Sequence, residues 1–215
     1  MAYFFPEGTK VFYSATLATA KNLTAVSNAS PAVATCVGHA YNDLDPLLIK
    51  SGWEDANDSV FEADQLTADT FGITNLDSSS TSWFPSGTGT GTAQKVSDWV
   101  EIPQILDISP NGGGVKYGTV APLGSRNDKK QPIGFEAQGV DLKIGYDATN
   151  ATIKAMQAIT RVFGKVAFKL VVPGGGRIYG YGNLACGEFP EMSKGNAIQL
   201  AVGIGFDGRA ISYGA

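Results

Sequence analysis

The chain of 215 residues is poor in the side chains on which most catalysis depends. It has one histidine, His39, so neither an imidazole pair nor a multi-histidine metal site can be assembled from it, and His39 reads as a turn residue. Its two cysteines, Cys36 and Cys186, stand far apart and in no CxxC spacing. They read as small buried hydrophobes, with a disulfide or a reactive thiol as the other reading. The net charge is only −4, which excludes a general affinity for nucleic acid or an acidic membrane. No apolar run approaches the ~20 residues of a membrane span. The opening Met1-Ala2-Tyr3-Phe4-Phe5-Pro6-Glu7 lacks the basic start and apolar core of a signal peptide, so synthesis in the cytoplasm without export by that route is expected. Asp43 and Asp45 lack the ligand series of an EF-hand and read as a solvated turn. Gly180-Tyr181-Gly182 and the stretch Gly87 to Gly91 lack the Gly-Lys-Ser/Thr ending of a phosphate loop, and read as turn or packing glycines. No catalytic residue, metal ligand or cofactor is assigned.

What is present is glycine, at 27 residues, with an ordinary apolar fraction of 43%; together they suit a strand-rich protein with many turns. The clearest unit runs from Val140 to Tyr181. Val140, Leu142, Ile144 and Tyr146 alternate with Gly139, Asp141, Lys143 and Gly145, the period of a half-buried strand. Asp147, Thr149 and Asn150 are candidate helix N-caps. Ile153, Met156, Ile159 and Phe163 fall on one helical face, and Gly164 is placed to end the helix in a left-handed conformation. Val166, Phe168, Leu170 and Val172 form a second strand, Pro173-Gly174-Gly175-Gly176 must turn, and Ile178 to Tyr181 begins the return. One amphipathic helix amid strands must cover an end or face of a sheet.

Elsewhere, Lys10 to Leu17 predicts a first strand. Tyr3, Phe4 and Phe5 before it are expected to dock, either on their own domain or on a neighbouring subunit. Ala32 to Val37, Pro46 to Lys50, Val60 to Gln65 and Thr70 to Thr74 read as four short strands of a small all-β module. Val96 to Ile108 resumes strand character, with Pro103 marking an edge or bulge. Ser109 to Gly134 is a long excursion, of a length uncommon unless it has a job. Arg126, Lys129 and Lys130 give it a small basic patch. Gly139 is a candidate bulge. Ile198 to Phe206 is a last long strand with one apolar face and one face of small groups.

Two resemblances follow from these stretches. Gly38-His39-Ala40, Asp45-Pro46-Leu47-Leu48-Ile49, Ser51-Gly52-Trp53, Asn57, Val60-Phe61 and Leu66-Thr67-Ala68-Asp69-Thr70-Phe71 resemble a small β-barrel module inserted in many phage structural proteins, with Asp69 where that pattern has Asn. The remainder is similar to the tail tube (major tail) proteins of long-tailed, non-contractile phages, the lambda-like group. It carries Trp99 to Ser109, the helix followed by Val166-Ala167-Phe168-Lys169, Pro173-Gly174-Gly175, Tyr179-Gly180-Tyr181-Gly182 and the closing Gly208 to Tyr213.

The resemblance implies a mainly β fold, a packed β-sheet sandwich or barrel with one flanking α-helix. The core domain would be 1–20 with 93–215, and an inserted β-barrel-like module of 21–92 would lie on the outer surface. It further implies a structural virion protein, not an enzyme, assembled in the host cytoplasm into rings of six that stack as a hollow tail tube. Its partners would be copies of itself, a tape-measure protein, and tail initiator and terminator proteins, with double-stranded DNA passing through and no membrane binding by the subunit. Within that frame, alternation assigns Asp141, Lys143 and Gln199 to the channel, with Lys143 offset by Asp141 or Glu136. Asn111, Lys116, Tyr117, Arg126, Asn127, Lys129 and Lys130 fall to an inter-ring loop. The other reading is a carbohydrate- or receptor-binding β module presenting Trp53 and Trp83.

Overall fold

The computed structural model describes residues 7–124 and 126–214; Tyr3, Phe4 and Phe5 lie outside them. The chain runs through β1 (Lys10–Ser14), β2 (Thr16–Leu17), β3 (Lys21–Leu23), β4 (Ala25–Val26), β5 (Ala32–Thr35), β6 (Pro46–Ser51), β7 (Ser59–Gln65), β8 (Thr70–Ile73) and β9 (Gly91–Ser97). It continues as β10 (Val100–Glu101), β11 (Ile105–Gly112), β12 (Val115–Val120), β13 (Lys129–Phe135) and β14 (Gln138–Gly145). Then come α1 (Ala151–Arg161), β15 (Lys165–Val171), β16 (Arg177–Cys186), β17 (Gln199–Phe206) and β18 (Ile211–Tyr213). The fold is mainly β, as expected. Two large antiparallel sheets form, ordered β10-β1-β15-β16-β17-β14-β11 with β18 beside β16, and β2-β9-β6-β7-β8-β5-β4 with β3 beside β9. Neither closes into a barrel.

The first sheet cannot lie flat. Its edge strands β10 and β11 are joined by Ile102 to Gln104 alone. Four Cα steps of about 3.8 Å reach ~15 Å, whereas seven flat strands spaced at about 4.8 Å would put the edges roughly 29 Å apart. The sheet therefore curls. Ile102 N donates to Val11 O at 2.8 Å on one side of the link, and Gly145 N donates to Gln104 O at 2.9 Å on the other. Pro103, inside the link, has no N–H to offer a ladder. The ladder irregularity lies between Ile105 and Asp107, and Gly139 pairs in register with Gly205 without a bulge. A Cβ there would sit 2.7 Å from Ile204 O, so the glycine serves close backbone approach.

The curled inner face holds Leu142, Ile144, Phe168, Leu184, Val202 and Ile204, and α1 covers it with Ile153 and Met156. Asn150 caps the helix, its side chain accepting from Thr152 N at 2.9 Å and Ile153 N at 3.4 Å. The helix ends one residue earlier than the glycine suggested. Phe163, not Gly164, takes the left-handed conformation at φ 53°. Phe163 N donates to Thr160 O and Gly164 N to Ile159 O, the paired bonds of a Schellman ending. Gly164 is needed because a Cβ would lie 2.7 Å from Ile159 Cγ2. The Phe163 ring is thereby carried off the buried helical face and is 86% exposed.

The second sheet surrounds its own core of Leu47, Ile49, Trp53, Phe61, Phe71 and Ile73. The two sheets join through a neck of two chain segments: the β1–β10 pairing continues across the bend as β2–β9, with Asp98 at φ 52° in the corner. Buried Ser14 ties this corner, its hydroxyl donating to Ser97 O and accepting from Thr16 N. Cys36 and Cys186 are buried free thiols in the two separate cores, and burial pushes the Cys186 thiol up to about 11.

Replacing Asn150 with alanine strands two first-turn N–H groups while leaving the packed face intact. A loss of about 1 kcal/mol is expected, read as a lower urea midpoint at unchanged slope. An unchanged midpoint would show that the cap contributes nothing.

Candidate assembly interface

The excursion at Ser109 to Gly134 is not an open loop but most of a hairpin arm. β11 and β14 run on into β12 and β13, with Gly113 N donating to Ala137 O at 3.3 Å and Glu136 N to Gly114 O at 2.8 Å. Gly112 and Gly113 turn the ladder at φ 67° and 77°. A Cβ on Gly112 would fall 1.8 Å from Ala137 O, so the glycine run has a steric reason. Beyond the kink, β12 and β13 pair only with each other, and apart from half-buried Gly118 every residue in them is exposed. Val115 stands opposite Phe135 and Tyr117 opposite Pro132, giving one apolar face. Ile133, the bulged extra residue, lies over Gly118 on the other face. Lys116, Arg126, Asn127, Lys129 and Lys130 are on this arm and exposed, whereas Asn111 sits on the sheet and donates to Asp141 Oδ2 at 3.1 Å. A two-stranded hairpin without a core is marginal in water, and this one carries large apolar side chains that no described residue covers.

A second surface is the outer face of β16, β17, β14 and β11. Asp141 opposes Gly203, Lys143 opposes Ala201 and Gln199 opposes Gly145, so the three residues singled out in the sequence share one outward face. A shallow concavity of about 400 Å³ lies there, lined in part by Ser109, Asp141, Lys143, Ala185, Ala201 and Gly203. Lys143 Nζ meets Glu191 Oε2 at 3.2 Å, not Asp141 or Glu136 as expected. The segment after β16 returns Glu191 to the start of β17 through the Glu191–Gln199 bridge, a contact of distant residues that strand alternation cannot reveal.

The outer face around β15, the first half of β16 and β18 is covered instead. Tyr179, Tyr181, Tyr213 and Ala167 pack against Leu48, Val60 and Val96 of the second sheet. Glu62, 2% exposed, sits at the centre of this contact. Arg177 lays Nε 2.7 Å from Glu62 Oε1 and donates through Nη2 to Oε2 at 3.2 Å. The Tyr179 hydroxyl donates to Oε1 at 3.0 Å, and the Tyr213 hydroxyl accepts from Glu62 N and donates to Thr74 O. Sequence reasoning misses this cluster, because Glu62 lies more than a hundred residues from Arg177, Tyr179 and Tyr213.

Other residues weighed in the sequence have structural roles. His39 is buried, with Nδ1 accepting from Tyr41 N and Nε2 facing Thr67 O at 2.9 Å. Asp43 accepts from Gln65 N at 2.7 Å and Asp45 pairs with Lys95 at 2.7 Å, so this turn is fastened and not merely solvated. Trp53 is 1% exposed, donating to Pro85 O, so of the two aromatics proposed for ligand presentation only Trp83 is outside, at 76%. Among the described residues no group of three or more His, Cys, Asp or Glu could hold a metal ion.

The model of the family described as phage tail tube protein, TTP, matches residues 51–215. The chain belongs to the phage tail tube protein family. No individual curated protein matches it. The tail tube protein is therefore a structural component of the virion tail and not an enzyme. The match begins at Ser51, inside the second sheet, so β7, β8 and β9 fall within the region shared with the family.

In this tail tube protein the contact between the sheets carries a pH signature. Burial, reinforced by the Glu62 carboxylate, holds the Tyr179 hydroxyl protonated far above its ordinary range. Burial does the same for Tyr213. A phenol harder to ionise in the folded state lends stability that is full below the unfolded value of about 10 and is lost as pH rises past it. The urea midpoint is expected to decline slightly from about pH 8.5, where the buried thiols begin to ionise in the unfolded chain, and to fall further above 10 as the phenols do. Tyr213→Phe should make that fall shallower, and an identical slope in the variant would show that Tyr213 takes no part.

Proposed function

We propose that the tail tube protein closes into rings of six that stack into a hollow tube, and that the face carrying Asp141, Lys143 and Gln199 lines a channel through which double-stranded DNA passes. The observation that carries this reading is the division of one outer face. Where the second sheet packs, the face is tyrosine-rich; where it is bare, it presents alanine, glycine, serine and a few charges. The sheet curls, so the outward directions of β15 and β14 diverge strongly. A lobe built on residues 21–92 over the first can hang outside the tube wall while the second faces inward. Duplex DNA carries a charge about every 1.7 Å, and a basic wall would hold it. Here Asp107 and Asp141 stand on the bare face, and the single lysine is offset by Glu191. The free edge of β11 would be covered by the next subunit, a head-to-tail contact that closes.

The arm, with Lys116, Tyr117, Arg126, Asn127, Lys129 and Lys130, would reach a copy in the neighbouring ring, and Asn111 would support its base. Copies of the chain, a tape-measure protein, and tail initiator and terminator proteins are the partners this assembly needs, in the lambda-like arrangement.

Two experiments test the reading. Electron microscopy of the concentrated chain should show rings or tubes, and removal of residues 115–135 with Gly114 joined to Glu136 should leave a folded subunit that no longer stacks. Normal tubes from the shortened chain would remove the arm from the account. Asp141→Lys with Gln199→Lys should spare assembly yet slow DNA ejection, more so at low salt, where screening is weakest; ejection at the parental rate would take the channel away from this face.

A further inference from the structure

Charge in this chain is divided between two parts. The arm, residues 115–135, holds Lys116, Arg126, Lys129 and Lys130 against Asp128, a net of +3. Residues 16–97, which build the second sheet, hold nine carboxylates against Lys21, Lys50 and Lys95, a net of −6. Within one molecule the ion pairs among the described residues do not draw on Lys116, Arg126, Lys129 or Lys130.

Three of these carboxylates stand exposed at one rim of the second sheet. The turn between β7 and β8 is held on both sides by the single connection that joins β5 to β6. Gln65 N donates to Asp43 Oδ1, Leu44 N donates to Ala63 O at 2.8 Å, and on the far side Gly38 N donates to Asp69 Oδ1 at 2.8 Å. This brings exposed Asp43, Asp64 and Asp69 to one rim. The Lys21 ammonium there is engaged by the carbonyls of Gly38 and His39. The same two segments carry three exposed apolar side chains: Val37 at 74%, Leu44 at 59% and Leu66 at 51%. Three acids and three aliphatic groups match in sign and kind the arm's lysines and its face of Val115, Tyr117, Pro132 and Phe135.

We infer that the acidic rim formed by Asp43, Leu44, Asp64, Leu66 and Asp69 is the docking surface for the hairpin arm of a second copy of this chain. The inference rests on the reading above that the arm engages a neighbouring copy, and adds where it lands. The arm extends about 20 Å beyond the kink at ~3.4 Å per residue, enough to leave its own sheet and lie across a rim of this size. Opposite charges set the register and speed the encounter, while the apolar groups supply the contact that salt does not screen. The apolar face favours a protein partner over duplex DNA, whose backbone would reward lysines without valine and phenylalanine between them.

The test uses the full chain and reads assembly by light scattering and electron microscopy. Asp64→Lys with Leu66→Ser, which leaves Asp43 and Asp69 in place to hold the turn, should cut tube formation at least tenfold, as should Lys129→Glu with Lys130→Glu. Combining the rim and arm changes in one chain should restore a substantial part, because the signs again oppose. A second readout does not depend on the altered charges: Gln65→Cys with Lys129→Cys or Lys130→Cys should give intermolecular disulfides under oxidising assembly conditions. If the rim variant assembles normally while the arm variant does not, and no cross-link forms, the arm docks elsewhere and this inference fails while the stacking reading stands. If both variants assemble normally, both fail. An arm variant that assembles normally but no longer retains duplex DNA overturns the inference in favour of a nucleic-acid contact.

Discussion

The three residues between β10 and β11 constrain everything else in the subunit. They connect the two edges of a seven-strand path, and the covalent chain cannot span that distance unless the sheet bends. Bending gives the sheet an inner face, where Leu142, Ile144, Val202 and Ile204 meet Phe168 and Leu184, and it leaves an opening that α1 covers with Ile153 and Met156. The same bend gives one continuous outer surface two directions. A flat sheet of this composition would expose its apolar side to water or need a second layer along its whole length; the curl lets the sheet serve as its own second layer.

Side-chain size decides how the outer surface is used. Around β15 and β18, alanine and tyrosine leave a face that the second sheet can pack on, and Glu62 reaches across to Arg177, Tyr179 and Tyr213. An ionised pair in such a contact adds little net stability, because desolvation offsets most of the attraction. Its effect is to set orientation, since only one relative placement of the sheets pairs the carboxylate with both its guanidinium and its phenol. Around β14 and β17 the outward positions are either small, as at Ala201 and Gly203, or polar, as at Asp141, Lys143 and Gln199, so they form no core and that face stays bare. The arm is the complementary case. It carries large apolar side chains that no described residue buries.

Much of this could be read from residue order. Strict alternation from Val140 to Tyr146 and from Leu200 to Phe206 marked strands with one buried face, and those faces are buried as alternation requires. Four strands of the second sheet, β5 to β8, are legible as short apolar runs between turns, and Asn150 as one of three candidate caps. The arm was not legible as strands. Alternation is a signal of one-sided burial, and β12 and β13 are exposed on both sides, so their sequence has no period to show. The helix stop was misplaced by one residue because glycine tolerates two demands, a left-handed backbone and a close approach, and at Gly164 it met the second.

The class of the fold, the position of its helix and the faces its strands bury are legible in the sequence alone. These are local properties, written in spacing and composition. The folded chain alone sets which strands are neighbours, that the sheet curls, that Glu62 meets Arg177, that Lys143 meets Glu191, and that the acidic rim comes together from the β5–β6 connection and the end of β7 with its turn. Each of these joins residues distant in the chain, and such pairings depend on how the whole sheet closes over its core and not on any one segment's preference.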